Sequence, residues 1–275
     1  METTEKKYVL TVITVCYNSE KTIGRTIESI GPQLTDEIEY LIIDGKSTDG
    51  TLRIIEEARK KYQIKTVSET DKGIYDAMNK AAKLAGGNWL LYINSDDCLK
   101  ENVLAQMLPI LKANVQNDCI CTDVEMHREV HGEWYCRIWE AEEVREKVYL
   151  YMPSCHQGMY IRKKSMQEIG GFDCRFKIAA DWDLFCRMYR KNMSFIILHI
   201  ITAEFLEGGA SNKRMVGEKH RIRVKNHAGK WILVGLLWDI KNRLRSELAR
   251  VLLGEKKEEI AVRKKYIRQR EKIHD

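Results

Sequence analysis

Asn94-Ser95-Asp96-Asp97 closes the apolar run Trp89-Leu90-Leu91-Tyr92-Ile93. A run of that composition belongs to a strand buried on both faces of a sheet. Two adjacent carboxylates at its end cannot stay buried and unpaired, because an uncompensated desolvated charge costs several kcal/mol. In open α/β sheets ligands bind at the carboxyl ends of strands. Paired hard oxygen donors there suit a divalent cation, Mg²⁺ or Mn²⁺, which can in turn hold a diphosphate. The competing reading is a polar turn that caps a helix over 100–113.

Three other carboxylate groups fall at comparable places. Asp44 ends an apolar run and precedes Gly45, Ser47, Asp49 and Gly50. Such a carboxylate can accept a hydrogen bond from a nucleobase N–H, or simply form the turn. Glu69-Thr70-Asp71-Lys72-Gly73 adds two carboxylates and a lysine after the next run. Asp181-Trp182-Asp183 opens a helical pattern, where Asp181 is either an N-cap or a general base held at a helix start. His156 precedes an apolar strand and is either structural or part of a site. Gly45-Lys46-Ser47 imitates the end of a phosphate-binding P-loop, but that motif needs Gly at position 40, which is Tyr.

The elements that must carry these residues alternate strand and helix. Apolar, β-branched runs predict strands over 8–15, 38–43, 64–67 and 88–94. Helices are predicted over 20–30 behind Asn18-Ser19, from 47–49 to 62, and over 73–84, where Gly86-Gly87 stops the pattern. Four βα units in succession imply an α/β fold with a parallel sheet, helices on both faces and right-handed crossovers. The less regular middle predicts strands over 119–124, 133–138 and 159–162. A helix over 163–169, stopped by Gly170-Gly171, a helix over 181–191 and a strand over 194–201 follow. No internal repeat at a fixed period is present.

The C-terminal stretch differs in kind. Residues 213–275 hold 19 Lys+Arg and 8 Asp+Glu, a balance of +11, against a formal charge of +6 for all 275 residues. The first 212 residues therefore carry −5, and the division into 1–212 and 213–275 follows that asymmetry. Over 230–253, Trp231, Ile232, Val234, Leu237, Trp238, Leu244, Leu248 and Leu252 are mixed with Lys241, Arg243, Arg245 and Arg250. That mixture describes an amphipathic helix on an anionic lipid surface, or one docked on the protein's own core. Residues 256–275 are mostly charged and read as a solvated or frayed end. No run approaches the roughly 20 apolar residues of a membrane span. The eight Cys include no Cys-x-x-Cys pair, and the start is polar. Reduced thiols in a cytoplasmic protein, peripheral on the inner membrane face if the tail binds lipid, are the expectation.

Taken in order, several segments resemble those of the family-2 glycosyltransferases. These are Ile13-Thr14-Val15-Cys16-Tyr17-Asn18, then Asp44-Gly45-Lys46-Ser47-Thr48-Asp49-Gly50-Thr51. The most specific are Ser68-Glu69-Thr70-Asp71-Lys72-Gly73-Ile74-Tyr75-Asp76-Ala77-Met78-Asn79-Lys80 and Asn94-Ser95-Asp96-Asp97. Gly171-Phe172-Asp173, Ala180-Asp181-Trp182-Asp183-Leu184 and Gly208-Gly209-Ala210-Ser211 follow, so the resemblance covers about 8–215. It implies the GT-A fold and a nucleotide-sugar donor, with UDP as the default.

Roles follow from the same resemblance. Asp44 would contact the base, with Thr14, Tyr17 and Asn18 forming the wall, and Asp71 and Lys72 would lie in the donor site. Asp96 would bind ribose or donor sugar, Asp97 would ligate the divalent cation, and Asp181 would be the base that deprotonates the acceptor. His156 and Trp182 would contact acceptor or donor. The implied reaction is direct displacement with inversion, onto a hydroxyl of a glycan or lipid-linked acceptor in surface-polysaccharide synthesis. Val15-Cys16 and Thr70 depart mildly from the family pattern.

A sugar nucleotidyltransferase is the rival enzyme, but Cys16-Tyr17-Asn18-Ser19-Glu20 stands where its Gly-rich loop would be. A non-catalytic membrane-surface scaffold would use the tail alone. Nucleic acid as a partner is disfavoured by the Trp- and Leu-rich character of that tail.

Overall fold

A computed structural model describes residues 8–207, 215–253 and 267–268. Its first half consists of strands β1 (Tyr8–Cys16), β2 (Ile38–Asp44), β3 (Ile64–Ser68) and β4 (Gly87–Tyr92). Helices α1 (Ile23–Ile30), α2 (Thr51–Arg59) and α3 (Ile74–Leu84) connect them. The four strands pair in parallel in the order β3-β2-β1-β4, as four consecutive βα units require. Every residue of β2 is buried, which explains its unbroken apolar character. Successive residues feed opposite faces. Ile13, Leu41, Ile43, Leu90 and Tyr92 pack with α3 on one side. Val12, Tyr40, Ile42, Trp89 and Leu91 pack with α1 on the other.

The second half extends the sheet past β4. A two-residue strand β5 (Cys98–Leu99) and α4 (Val103–Ala113) lead to a hairpin, β6 (Cys119–Val130) and β7 (Glu133–Trp139). Then come β8 (Met159–Arg162), α5 (Lys163–Glu168), α6 (Ala180–Arg190) and β9 (Phe195–Leu206). Strand β8 runs antiparallel between β4 and β6, and β9 lies parallel to β6 with a bulge around Asp123. The expected helix over 100–113 begins only at Val103. Cys98 and Leu99 are drawn into pairing with Glu204 and Ala203 of β9, and Asn102 takes a left-handed φ of 58° that interrupts the turn.

Two helices follow, α7 (Met215–Lys225) and α8 (Trp231–Leu253), and β10 (Ile267–Arg268) pairs with β7. The sequence pattern does not single out α7. It packs on the body through Ile222, Arg223 and Glu218, all buried. Gly208-Gly209-Ala210-Ser211, and the run 256–275 apart from β10, lie outside the described residues.

Candidate active site

The carboxyl ends of β1, β2 and β3 are in register, with Cys16 beside Asp44 and Asp44 beside Ser68. Asp44 is fully buried. Its carboxylate accepts from Ser47 Oγ at 2.5 Å, Ser47 N at 3.0 Å and Ser68 Oγ at 2.6 Å, with Cys16 Sγ at 3.7 Å. Those partners occupy about all the lone-pair positions a carboxylate has. Asp44 therefore braces three strand ends and does not face an open pocket. Burial and the neighbouring Asp44 charge together push the Cys16 thiol far up, so it is inert.

The loops after β1 and β2 are laced together. Asn18 N donates to Ser47 Oγ at 2.8 Å, and Thr48 N donates to Asn18 Oδ1 at 2.9 Å. Gly50 N donates to Glu20 Oε2 at 2.7 Å. Tyr17 projects from this platform, 63 % exposed. A side chain at Gly45 would meet both Tyr17 and Asp71 Oδ2 at 3.3 Å, so these two flank the bare backbone of Gly45. Thr14 lies deeper, buried with its hydroxyl 3.1 Å from Tyr40 Oη, and lines the sheet interior, not the crevice.

Asp71 holds Lys80 Nζ at 2.6 Å, with Glu69 at 3.0 Å on the same ammonium, and these carboxylates raise the lysine's pKa. Lys72 is exposed, and its N–H donates to Asp76 Oδ2 at 2.9 Å. Gly73, with φ 125°, turns the chain into α3 in a region that side-chain-bearing residues avoid.

After β4, Ser95 Oγ meets Ser19 Oγ at 2.9 Å and Arg25 Nη2 donates to the Asp96 carbonyl at 3.2 Å, tying this loop to the first. Asp96 and Asp97 part company here. Asp97 is wholly enclosed, accepting from Gln157 Nε2 at 2.6 Å and Leu206 N at 3.2 Å. Burial, then the Asp96 charge, push its carboxyl up to about 7. Asp96 is only half-buried, and desolvation raises it as well. Asp97, the expected cation ligand, has its oxygens turned into the fold here, and Asp96 is the more exposed carboxylate of the pair.

Asp181 sits in the first turn of α6. Its Oδ1 accepts from Trp182 N at 2.8 Å and Tyr75 Oη at 3.3 Å, while Oδ2 lies 3.5 Å from His156 Nδ1. Across the ring, Asn94 Nδ2 is 3.2 Å from His156 Nε2. With the amide nitrogen donating, Nε2 accepts and the ring proton sits on Nδ1, toward Asp181. Asn94, His156, Asp181 and Tyr75 thus form one chain of contacts joining the β4 loop to α6. Trp182 does not join it. Its ring is buried and its Nε1 donates to the Val148 carbonyl at 2.6 Å, so the expected contact with acceptor or donor is corrected to a core role.

Three contributors escape a reading of the sequence alone. The single Tyr75 hydroxyl proton is shared between the Ile178 carbonyl at 2.7 Å and Asp181 at 3.3 Å, which pins the approach to α6. Gln157 holds Asp97. Glu218 of α7 accepts from Lys177 N, Ile178 N and Ala179 N at 2.8, 3.0 and 3.1 Å. It supplies from a distance the acceptor that helix starts require. Only the position of Tyr75 three residues after Lys72 hinted at any of these.

The oxygen donors that the loop after β4 could offer a divalent cation are few. Among the described residues no three His, Cys, Asp or Glu side chains gather to hold a metal. Asn94 Oδ1 is buried without a partner, and Asp96 two residues on is a carboxylate whose desolvation a cation would relieve. Few protein oxygens with phosphate and water completing the shell is the habit of Mg²⁺-type sites shared with a substrate.

Residues 11–170 match the family model described as glycosyl transferase family 2. A PGL/p-HBAD biosynthesis glycosyltransferase of Mycobacterium tuberculosis is 29% identical over 210 residues, 74% of this chain and 79% of that protein. Chondroitin synthase of Escherichia coli is 26% identical over 177 residues, 62% of this chain but 25% of its own length. Among solved structures, S. aureus TarS 1-349 in complex with UDP-GlcNAc superposes with a TM-score of 0.64 at 20% identity, covering 83% of this chain and 71% of that one. In a further structure of S. aureus TarS 1-349 the chain spans 64% of that protein's length. Mannosyltransferase PcManGT of Pyrobaculum calidifontis, in complex with GDP-Man and Mn2+, gives 0.61 at 15% identity, covering 90% and 76%. At these identities the superpositions establish a shared fold.

Proposed function

The chain belongs to glycosyl transferase family 2, and from that premise we propose that it moves a sugar from a nucleoside-diphosphate sugar onto a hydroxyl of a glycan or lipid-linked acceptor, with inversion at the anomeric carbon. The observation that carries this reading is the chain Asn94–His156–Asp181–Tyr75, which ties one carboxylate at the start of α6 to the loop after β4. Tyr17, Asn18, Gly45, Asp71 and Lys72 offer an open platform for the nucleotide, and Asp44 keeps it in shape from beneath. UDP is the expected nucleotide, and the cytoplasm the expected compartment.

Asp96 and the Asn94 amide oxygen would hold a divalent cation, Mn²⁺ or Mg²⁺, which offsets charge on the leaving diphosphate when bound. Asp181 accepts the acceptor's proton as the hydroxyl attacks. The Tyr75 hydroxyl and the Trp182 N–H fix one oxygen of that carboxylate and leave the other toward His156. His156 Nδ1, 3.5 Å from that second oxygen, orients it.

Calorimetric titration with UDP, GDP and their sugar conjugates, with and without Mn²⁺, tests the donor side. Metal-dependent binding of one nucleotide that Asp96→Asn weakens at least tenfold is expected. Asp181→Asn should keep that binding and lose about 100- to 10,000-fold in transfer rate, the usual worth of a general base. No binding of any nucleotide by the folded protein would sink the transferase reading, and undiminished transfer by Asp181→Asn would remove Asp181 from the mechanism.

A further inference from the structure

Helix α8 is fixed along one face and bare along the other. Gly235 and Asp239 are buried. Asp239 Oδ2 accepts from Arg223 Nη1 at 2.6 Å, Arg223 Nε donates to the Tyr149 carbonyl at 2.6 Å, and the guanidinium lies 5.2 Å from the Trp182 ring. A side chain at Gly235 would collide with that guanidinium, so the packing is close. Leu233, Leu237, Ile240, Leu244, Leu248 and Val251 point elsewhere and are 43–77% exposed.

Their spacing decides what they suit. The steps are four, three, four, four and three residues, and Leu233 to Val251 is 18 residues, or about five turns at 3.6 residues each. At about 100° per residue the six fall within an arc of about 80°, roughly opposite Gly235 and Asp239. The stripe therefore runs straight along the helix for about 27 Å.

A second copy of the helix would want a 3.5-residue repeat that winds around its partner. Leu237, Leu244 and Val251 keep a seven-residue spacing, but the companion row Leu233 and Ile240 reaches the charged Glu247. A straight stripe fits a flat surface instead. Its flanks carry exposed cations, Lys241 and Arg245 on one side and Arg243 on the other. Of the two acids on the helix, Asp239 is already taken by Arg223, and Glu247 stands at the edge of the stripe in line with Ile240, outnumbered by the three flanking cations. Trp238, 49% exposed, has the amphipathic ring favoured at a membrane–water boundary. No helix among the described residues is long and apolar enough to cross a membrane.

We propose that this face of α8 docks on an anionic lipid bilayer, with the helix lying in the plane of the interface and its cations against the headgroups. The docking does not depend on the transferase reading. If both hold, the Arg223 link to Trp182 sets the acceptor side of the crevice, with Asp181 next in sequence, at a fixed attitude to the membrane.

Flotation of the full-length protein with vesicles of phosphatidylcholine, alone or with about one third phosphatidylglycerol, tests the proposal. Binding to the anionic vesicles, much weaker on the neutral ones and reduced by salt, is expected. The double change Leu244→Glu with Leu248→Glu, at exposed positions, should lower partitioning at least about 100-fold. Lys241→Glu with Arg245→Glu should lower it about 30-fold or more, while thermal unfolding of both variants stays like wild type. Absence of flotation, or equal flotation of the leucine variant, would overturn the idea. So would a wild-type dimer that does not float and that Leu244→Glu with Leu248→Glu converts to monomer, which would assign the face to a second copy.

Discussion

Replacing Asp97 by Asn removes a charge that the fold holds at a cost, and the cost has a pH signature. The carboxyl moves from 3.8 to about 7 on folding, chiefly through burial and secondly through the Asp96 charge. A carboxyl raised in the folded state favours its protonated form there. Below about pH 4 it is protonated in both states and contributes nothing. As pH rises toward 7 the unfolded chain ionises freely while the folded one resists, so stability falls, and above about pH 7 the deficit is constant. That deficit is on the order of a few kcal/mol, a tenfold change in proton affinity being worth about 1.4 kcal/mol.

An amide escapes the charge but brings an N–H that needs an acceptor. Gln157 can supply one by turning its carbonyl oxygen, at the expense of the Cys155 Sγ contact now 2.7 Å from that atom. The net gain for Asp97→Asn is therefore about 1–3 kcal/mol at pH 8. Its lead over wild type should widen by about 2–3 kcal/mol between pH 5 and pH 8. Urea unfolding of both proteins across that range, without divalent ions, is the assay. Parallel stability curves would show that the enclosed carboxylate carries no such burden, and the account of Asp97 as a buried brace would be wrong.

Two other perturbations address the support of Asp181. Tyr75→Phe removes the hydroxyl shared by the Ile178 carbonyl and Asp181; steady-state kinetics should show kcat lowered about tenfold with donor affinity unchanged, at about 1 kcal/mol in stability. An unaltered kcat would mean that Tyr75 does not position the base. Glu218→Ala strands three backbone N–H groups before α6 and should cost at least about 2 kcal/mol in chemical denaturation, with Glu218→Gln recovering part. Stability equal to wild type would mean that those groups have another acceptor.

The parallel half of the fold was legible because each strand is an unbroken apolar or β-branched run and each helix ends on a polar or glycine signal. Strand β5 was not. Two residues carry no periodicity, and Cys98-Leu99 becomes a strand only because β9 arrives beside it from a hundred residues away. The same limit governs the site. That Asp44, Asp96, Asp97 and Asp181 fall after strands or at a helix start is visible in the sequence, but which way each turns is not. Asp44 and Asp97 are taken inward by Ser68, Gln157 and Leu206, at separations of 24, 60 and 109 residues. Trp182 looked like a ligand contact for want of Val148. Glu218 lay in a basic stretch where nothing marks one acid as the acceptor for a distant loop.

These long-range partners divide the crevice into two parts with different supports. The donor platform is braced by residues within about the first hundred positions, through Asp44, Ser47, Asn18 and the Ser19–Ser95 contact. Asp181 is held on one side by Tyr75 and His156, and on the other, from far along the chain, by the α7 carboxylate that caps the approach to α6. Helix α7 is in turn fastened to α8 through Arg223 and Asp239. Energetic coupling passes through contiguous packed and hydrogen-bonded groups. A change at the α7–α8 junction therefore reaches Asp181, the proposed base, before it reaches the proposed nucleotide platform. In kinetic terms, weakening the Arg223–Asp239 pair should act on turnover and acceptor use while leaving donor affinity close to unchanged. The reverse pattern would place the junction's influence on the wrong side of the crevice.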